Sequence, residues 1–224
     1  MTKNERDASP LQPFFTPESI EAQSFAIIDA EAPFPRPFAG EEWEIARRLV
    51  HTAGDFDILR HLTFRNDAVR VGVAALRRGA LILTDTEMAK AGMPERRLTP
   101  LGARTRCILS LPKVAERAAR NNWTRSRAAI EAARPYLPGC ILAVGNAPTA
   151  LLGLLEYLDA GGAPPALTIA MPVGFVNAAE SKERILKRGL PAIAIAGRKG
   201  GSTLAAATVN ALAVIALRKN SATP

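Results

Sequence analysis

The chain is poor in the residues that hold metals and form cross-links. Its 224 residues include two cysteines, Cys107 and Cys140, and two histidines, His51 and His61. No CxxC occurs, which excludes a disulfide framework and a cysteine-rich zinc site. With so few ligands, and those far apart, a dedicated zinc site would need an unusual arrangement. Aromatic residues make up only 5%, too few for the stacking platform of a nucleic-acid binder. The longest apolar run, Leu204 to Leu217, is interrupted by Thr208 and Asn210 and is too short to span a bilayer. The opening MTKNERDASP has no apolar core and does not read as a secretory signal. The expectation is a soluble, cytoplasmic protein with no metal, no membrane and no nucleic acid among its partners.

What is present is charge of one sign. Lys and Arg number 29 against 21 Asp and Glu, a net charge of +8. Hydrophobic residues make up 48% and charged residues 22%, ordinary globular proportions. A chain of this length buries a core without staples. The basic excess favours an anionic partner. Nucleic acid, phosphate esters and polycarboxylates all qualify on charge alone.

Residues 1–16 are polar and proline-punctuated and are read as a flexible tail. Thr16 suits an N-cap and Pro17 a first helical position, predicting a helix over Pro17 to Asp29. APFPRPF (Ala32 to Phe38) then breaks the chain. Glu41, Glu42 and Glu44 open a second helix, with Gly54 as its stop. Asn66 is placed as the cap of a third, which ends at Gly79. Short apolar runs at Ala80 to Thr84, Cys140 to Val144, Leu167 to Met171 and Ala192 to Ala196 are predicted strands, with a weaker one at Arg106 to Leu109. Helical patterns separate them: Pro112 to Ala133 with a break at Asn121 and Asn122, Thr149 to Leu158, Ala178 to Arg188, and Thr203 to Leu217. Continuous apolar strands alternating with helices indicate a mainly parallel sheet flanked by helices on both faces. The reading is one α/β domain over residues 17–220, with a helical segment at its N-terminal side.

Three strands run into glycine-bearing turns: VGNAPTA (Val144 to Ala150), MPVGF (Met171 to Phe175) and AGRKGGST (Ala196 to Thr203). Ligands of open α/β sheets bind beyond the carboxyl ends of strands, and helix N-termini there offer N–H donors. Each turn alone could be no more than a tight connection; three in succession point to a shared anion site. AGRKGGST lacks the phosphate-loop spacing, because Lys199 precedes the glycine pair, and no G-x-G-x-x-G follows a strand. Gly200, Gly201 and Ser202 remain candidates to hold a carboxylate. His51, in RRLVHTAGD near a helix end, is a candidate general acid, although a lone histidine is more often structural. His61, in the turn-like LRHLTF, is read as structural. Thr124 and Arg125 of NNWTRSRAA put a hydroxyl and a planar charged fork at a helix start. Asp85 and Glu87 follow the first strong strand, and Asp85 is read as an N-cap.

SFAII (Ser24 to Ile28), RLVHTAGD, TDTEM, NNWTRSRAA, GNAPTALL, MPVGFVNAAESKE and GRKGGST, in this order, resemble the precorrin-8X methylmutases of cobalamin biosynthesis. The resemblance runs from about Ser24 to about Leu212. It implies an isomerase that moves a methyl group from ring carbon 11 to ring carbon 12 of precorrin-8X, or of its cobalt-bearing counterpart, and consumes no cofactor. It implies that His51 is the catalytic histidine, that Ser24, Arg48 and Arg125 bind substrate carboxylates, and that the protein is a homodimer with sites near the subunit boundary. Two positions depart from the family's pattern: Asn177, where a small residue is expected, and Lys199, where an apolar one is usual. A corrinoid carrier without catalysis, and an α/β enzyme acting on a phosphate-bearing substrate, are the alternatives.

Overall fold

A computed structural model describes residues 16–218. The tail expected over residues 1–16 lies, apart from Thr16, outside the described residues. The chain opens with α1 (Pro17–Glu31), α2 (Gly40–Ala53) and the short α3 (Ile58–His61), then β1 (Leu62–Arg65). There follow α4 (Ala68–Arg77), β2 (Leu81–Thr84), the short helices α5 (Glu87–Ala91) and α6 (Glu95–Leu98), and β3 (Arg104–Cys107). The remainder alternates: α7 (Val114–Asn121), α8 (Arg125–Ala133), β4 (Ile141–Val144), α9 (Pro148–Asp159), β5 (Leu167–Ala170), α10 (Ala178–Lys187), β6 (Ala192–Ile195) and α11 (Ser202–Leu217).

The six strands form one sheet in the order β1-β6-β5-β4-β2-β3. All neighbours are parallel except β1, which runs antiparallel to β6. Because side chains alternate across a strand, the sheet feeds two cores. Ile82, Ile141, Ile169 and Ile193 pack with α2, α4 and α11, while Leu83, Leu142, Ala170 and Ala194 pack with α8, α9 and α10. Every residue of β4, β5 and β6 is buried. Strands covered on both faces need no polar alternation, which is why they read as unbroken apolar runs.

The expected parallel sheet with helices on both faces is therefore found, with one strand added. LRHLTF is not a turn: it ends α3 and enters β1, whose register pairs Leu62 with Ile195 and Arg65 with Ala192. The weaker strand begins two residues earlier than read, at Arg104. Thr16 caps α1 by accepting from the Ser19 N–H, and Gly54 ends α2 in the left-handed conformation. Asn66 does not cap α4. That place belongs to Asp67, without a side-chain bond, and the Asn66 amide instead donates to the Leu190 carbonyl at 3.1 Å. Asp85 does not cap the helix beside it either, because Thr86 does, accepting from Ala89 N.

Both departures from the family's pattern have local explanations. Asn177 sits at φ 60° ahead of α10, a left-handed position that asparagine tolerates better than most side chains. Lys199 spans two carboxylates, its Nζ lying 2.7 Å from Asp55 and 2.8 Å from Asp57. Asp57 also faces His61 Nε2 at 3.2 Å. His61 thus belongs to a charged seam that closes β6 onto the turn after α2, in keeping with its structural reading.

Candidate functional site at the carboxyl edge of the sheet

The loops that leave β2, β4, β5 and β6 meet one another directly. The Gly201 N–H donates to the Met171 carbonyl at 2.8 Å. A side chain at Gly200 would run into that same carbonyl, and one at Gly145 would lie 2.5 Å from Ser202 Cα. The Ser202 hydroxyl bonds Thr86 Oγ1 at 2.8 Å. The glycines therefore serve backbone-to-backbone packing.

This changes the expectation of an open anion cradle in these turns. The N–H groups of Gly145, Asn146 and Ala147, just ahead of α9, all donate to the Asp85 carboxylate at 2.8 Å. The protein's own carboxylate fills the place that a ligand anion would take. Asp85 is fully buried. Burial raises its pKa by more than the three N–H donors lower it. With Gly201 also engaged, the donors left in the last turn are those around Gly200 and the shared Ser202 hydroxyl.

An accessible cleft of about 450 Å³ opens beside this packed floor. Its walls include Arg48, His51 and Thr52 at the C-terminal end of α2, Arg97 of α6, and Thr203 and Asn210 of α11. The α2 wall exists because Trp43, Ile45, Ala46, Leu49 and Val50 bury one face of that helix, leaving the alternate turn positions 48, 51 and 52 at the margin.

Within the cleft His51 is held on two sides. The Ser24 hydroxyl of α1 lies 2.7 Å from its Nδ1. The Phe25 ring meets the imidazole edge-on, with centroids 5.4 Å apart. Arg47 and Arg48 place their guanidinium groups 4.5 Å and 4.7 Å from the centre of the Phe25 ring, within cation–π range. Arg48 also pairs with Glu21. Burial raises the Glu21 pKa, but the Arg48 hydrogen bond and charge overcome it and hold the carboxyl below its ordinary value. With Nδ1 held by Ser24, Nε2 is the ring nitrogen left for a ligand. In the protonated ring both nitrogens carry hydrogen, Nδ1–H donates to the Ser24 oxygen, and the Nε2 proton can pass to a ligand; in the neutral ring Nε2 can take it back.

Of the residues singled out in the sequence, Ser24, Arg48 and His51 come together here, and the Gly200–Ser202 turn leads into the Thr203 wall. Thr124 and Arg125 do not line this cleft. Thr124 caps α8 and donates to Thr149 Oγ1 of α9 at 2.9 Å. Arg125 is exposed beside it, at the start of α8. Arg97 was missed by sequence reasoning, since it lies in the polar run ERRL with no motif around it. Among the described residues no group of three or more His, Cys, Asp or Glu gathers as a metal site would require. No described helix is long and apolar enough to cross a membrane.

Known proteins share this architecture and sequence. The family described as precorrin-8X methylmutase matches residues 19–215. A precorrin-8X methylmutase of Pseudomonas aeruginosa is 46% identical over 198 residues, covering 88% of this chain and 94% of its own. A cobalt-precorrin-8 methylmutase of Priestia megaterium is 40% identical over 200 residues, covering 89% and 88%. The crystal structure of a precorrin-8X methylmutase from Thermus thermophilus superposes with a TM-score of 0.83 at 41% identity, covering 89% of this chain and 96% of that one. A match over this much of the chain makes this protein a member of the precorrin-8X methylmutase family, an isomerase of cobalamin biosynthesis.

Proposed function

We propose that the chain moves the methyl group of precorrin-8X, or of its cobalt-bearing counterpart, from ring carbon 11 to ring carbon 12, with His51 as general acid. The observation that carries this reading is the Ser24–His51 contact inside a cleft flanked by Arg48. Protonated His51, its Nδ1–H donating to the Ser24 oxygen, gives its Nε2 proton to the conjugated macrocycle, becomes the neutral imidazole and makes the macrocycle electron-poor. The bond from carbon 11 to the methyl breaks, the bond from carbon 12 to the methyl forms, and the proton returns. The reaction is an isomerisation and consumes no cofactor. A positioned general acid contributes roughly 10²–10⁴-fold, and holding the macrocycle in a reactive geometry supplies much of the rest.

The substrate's ionised side chains account for the basic surroundings. Arg48 takes one carboxylate by two-point contact. Thr124 and Arg125, farther along the same edge of the sheet, take another arm. Gly200 and Ser202, at the start of α11, suit a third. Gly201 lends its N–H to Met171 and takes part by keeping that turn in place. The working unit is a homodimer in the cytoplasm, with each site near the subunit boundary.

The test is incubation of the purified protein with precorrin-8X while following the absorbance change to hydrogenobyrinate. Wild type should turn over and His51→Ala should not, although it should still hold hydrogenobyrinic acid through gel filtration. Wild-type turnover in His51→Ala would remove the histidine from the mechanism. A wild type that neither converts nor binds the pigment would overturn the substrate.

A further inference from the structure

We propose that Arg97 joins Arg48 in seating one carboxylate arm of the substrate and discriminates an ionised arm from a neutral one; this deepens the polycarboxylate reading above and rests on it.

The two arginines come from different elements and face one cleft. Arg48 projects from the last turns of α2 and Arg97 from α6, and both line the cavity that holds His51. The backbone that carries Arg97 is well anchored, because Leu98 beside it is 2% exposed in the core that includes α11. The Arg97 side chain itself has no hydrogen bond or ion pair among the described residues. Its charged surroundings are Arg48 and Arg96 on one side of the balance and Glu21 on the other. Glu21 is already bonded to Arg48.

The one carboxylate nearby is thus taken up by Arg48, and Arg97 is left without a bonded anion in a partly desolvated place. Partial burial, together with the charges of Arg48 and Arg96, holds the Arg97 pKa below its ordinary value. An unbalanced positive charge of this kind is costly in the free protein and is relieved when an anion arrives. A carboxylate set between Arg48 and Arg97 would accept charge-assisted hydrogen bonds from both. An amide or ester in that place would leave the surplus charge uncompensated, so the pair reads the ionisation state of the arm as well as its reach.

The experiment titrates hydrogenobyrinic acid, and separately its methyl ester, into wild type, Arg97→Gln and Arg97→Lys, following the pigment absorbance. For Arg97→Gln the Kd for the acid should rise by about 10- to 100-fold, while the Kd for the ester stays put, so the preference for acid over ester shrinks. Arg97→Lys keeps the charge without the fork and should fall between. Thermal melts of both variants should be no lower than wild type, since nothing among the described residues holds the side chain, and a loss of affinity that spares ester binding cannot come from misfolding. Unchanged acid affinity in Arg97→Gln, with a wild type that binds pigment, would overturn the role of Arg97 alone. A wild type that binds neither form would overturn the reading of the substrate together with this one.

Discussion

The Ser24 hydroxyl and the His51 imidazole, 27 residues apart in sequence, meet at 2.7 Å. The contact joins α1 to α2 at the point where chemistry is proposed, and it settles which ring nitrogen is left for a ligand.

Ser24→Ala should therefore slow the reaction without abolishing it. Losing one neutral hydrogen bond costs about 1 kcal/mol, or roughly a 5- to 10-fold fall in the single-turnover rate, against the far larger loss expected for His51→Ala. Rapid-mixing absorbance measurements check this. A rate equal to wild type would mean that the hydroxyl does not orient the ring.

Asp85 should prove a structural carboxylate. Its bond from Gly145 is buried and those from Asn146 and Ala147 are partly buried, and the three donors have no other acceptor among the described residues. In Asp85→Asn one acceptor oxygen becomes an NH₂ that faces a donor, with an expected cost of about 2–4 kcal/mol. Urea unfolding measures it, and a change within about 0.5 kcal/mol, typical of an uninvolved surface site, would show that the loop finds other partners.

Lys182 carries a pH signature. It is fully buried on α10, and its Nζ donates to the Lys199 carbonyl at 2.8 Å. Burial brings its pKa from 10.5 down to about 8. Below that value the amine is charged in both the folded and the unfolded chain. Between about 8 and 10.5 the folded chain has released the proton while the unfolded chain keeps it, so this residue's contribution to stability rises through that interval and levels off above it. Relative to Lys182→Met, wild type should gain up to about 3 kcal/mol over that range. Denaturant curves of both proteins at neutral and alkaline pH give the comparison, and a constant difference would contradict it.

Two glycines of one turn should respond differently to the same methyl group. Gly200→Ala drives a Cβ into the Met171 carbonyl, and overpacking against backbone costs about 1–3 kcal/mol or more. Gly197, at φ 72°, has nothing within 4 Å of a new Cβ, so Gly197→Ala meets only the left-handed strain of about 1–2 kcal/mol. Thermal melts should rank Gly200→Ala well below Gly197→Ala. The reverse order would mean that the turn is not closed as described.

Much of this was legible in the sequence because burial writes itself into composition. Runs such as ILAV and AIAI can be apolar throughout only where helices cover both faces of a sheet. The strand LTFR escaped notice because it lies at an edge, pairs antiparallel, and leaves Arg65 exposed. Asp85 was misassigned because a cap was the nearest use for it, whereas its true donors lie 60 to 62 residues on. His51 was singled out from its place at a helix end, Ser24 and Arg48 through motif resemblance, and the Ser24–His51 contact was not visible before α1 and α2 were folded together. Arg97 and Lys182 carry no local signal at all. One matters for the company it keeps across the cleft, and the other for the depth at which it sits.

The interlocked turns around Gly145, Met171 and Gly200 bear on how such a protein could be retuned. Their fit is main chain against main chain, so a new side chain there disturbs the edge of four strands at once. The helices α2 and α6 bring Arg48 and Arg97 to the cleft on side chains instead of main chain. If those arginines seat the substrate's arms as proposed, a pigment with a different set of charged arms would be accommodated by altering those helices while the turns stay as they are.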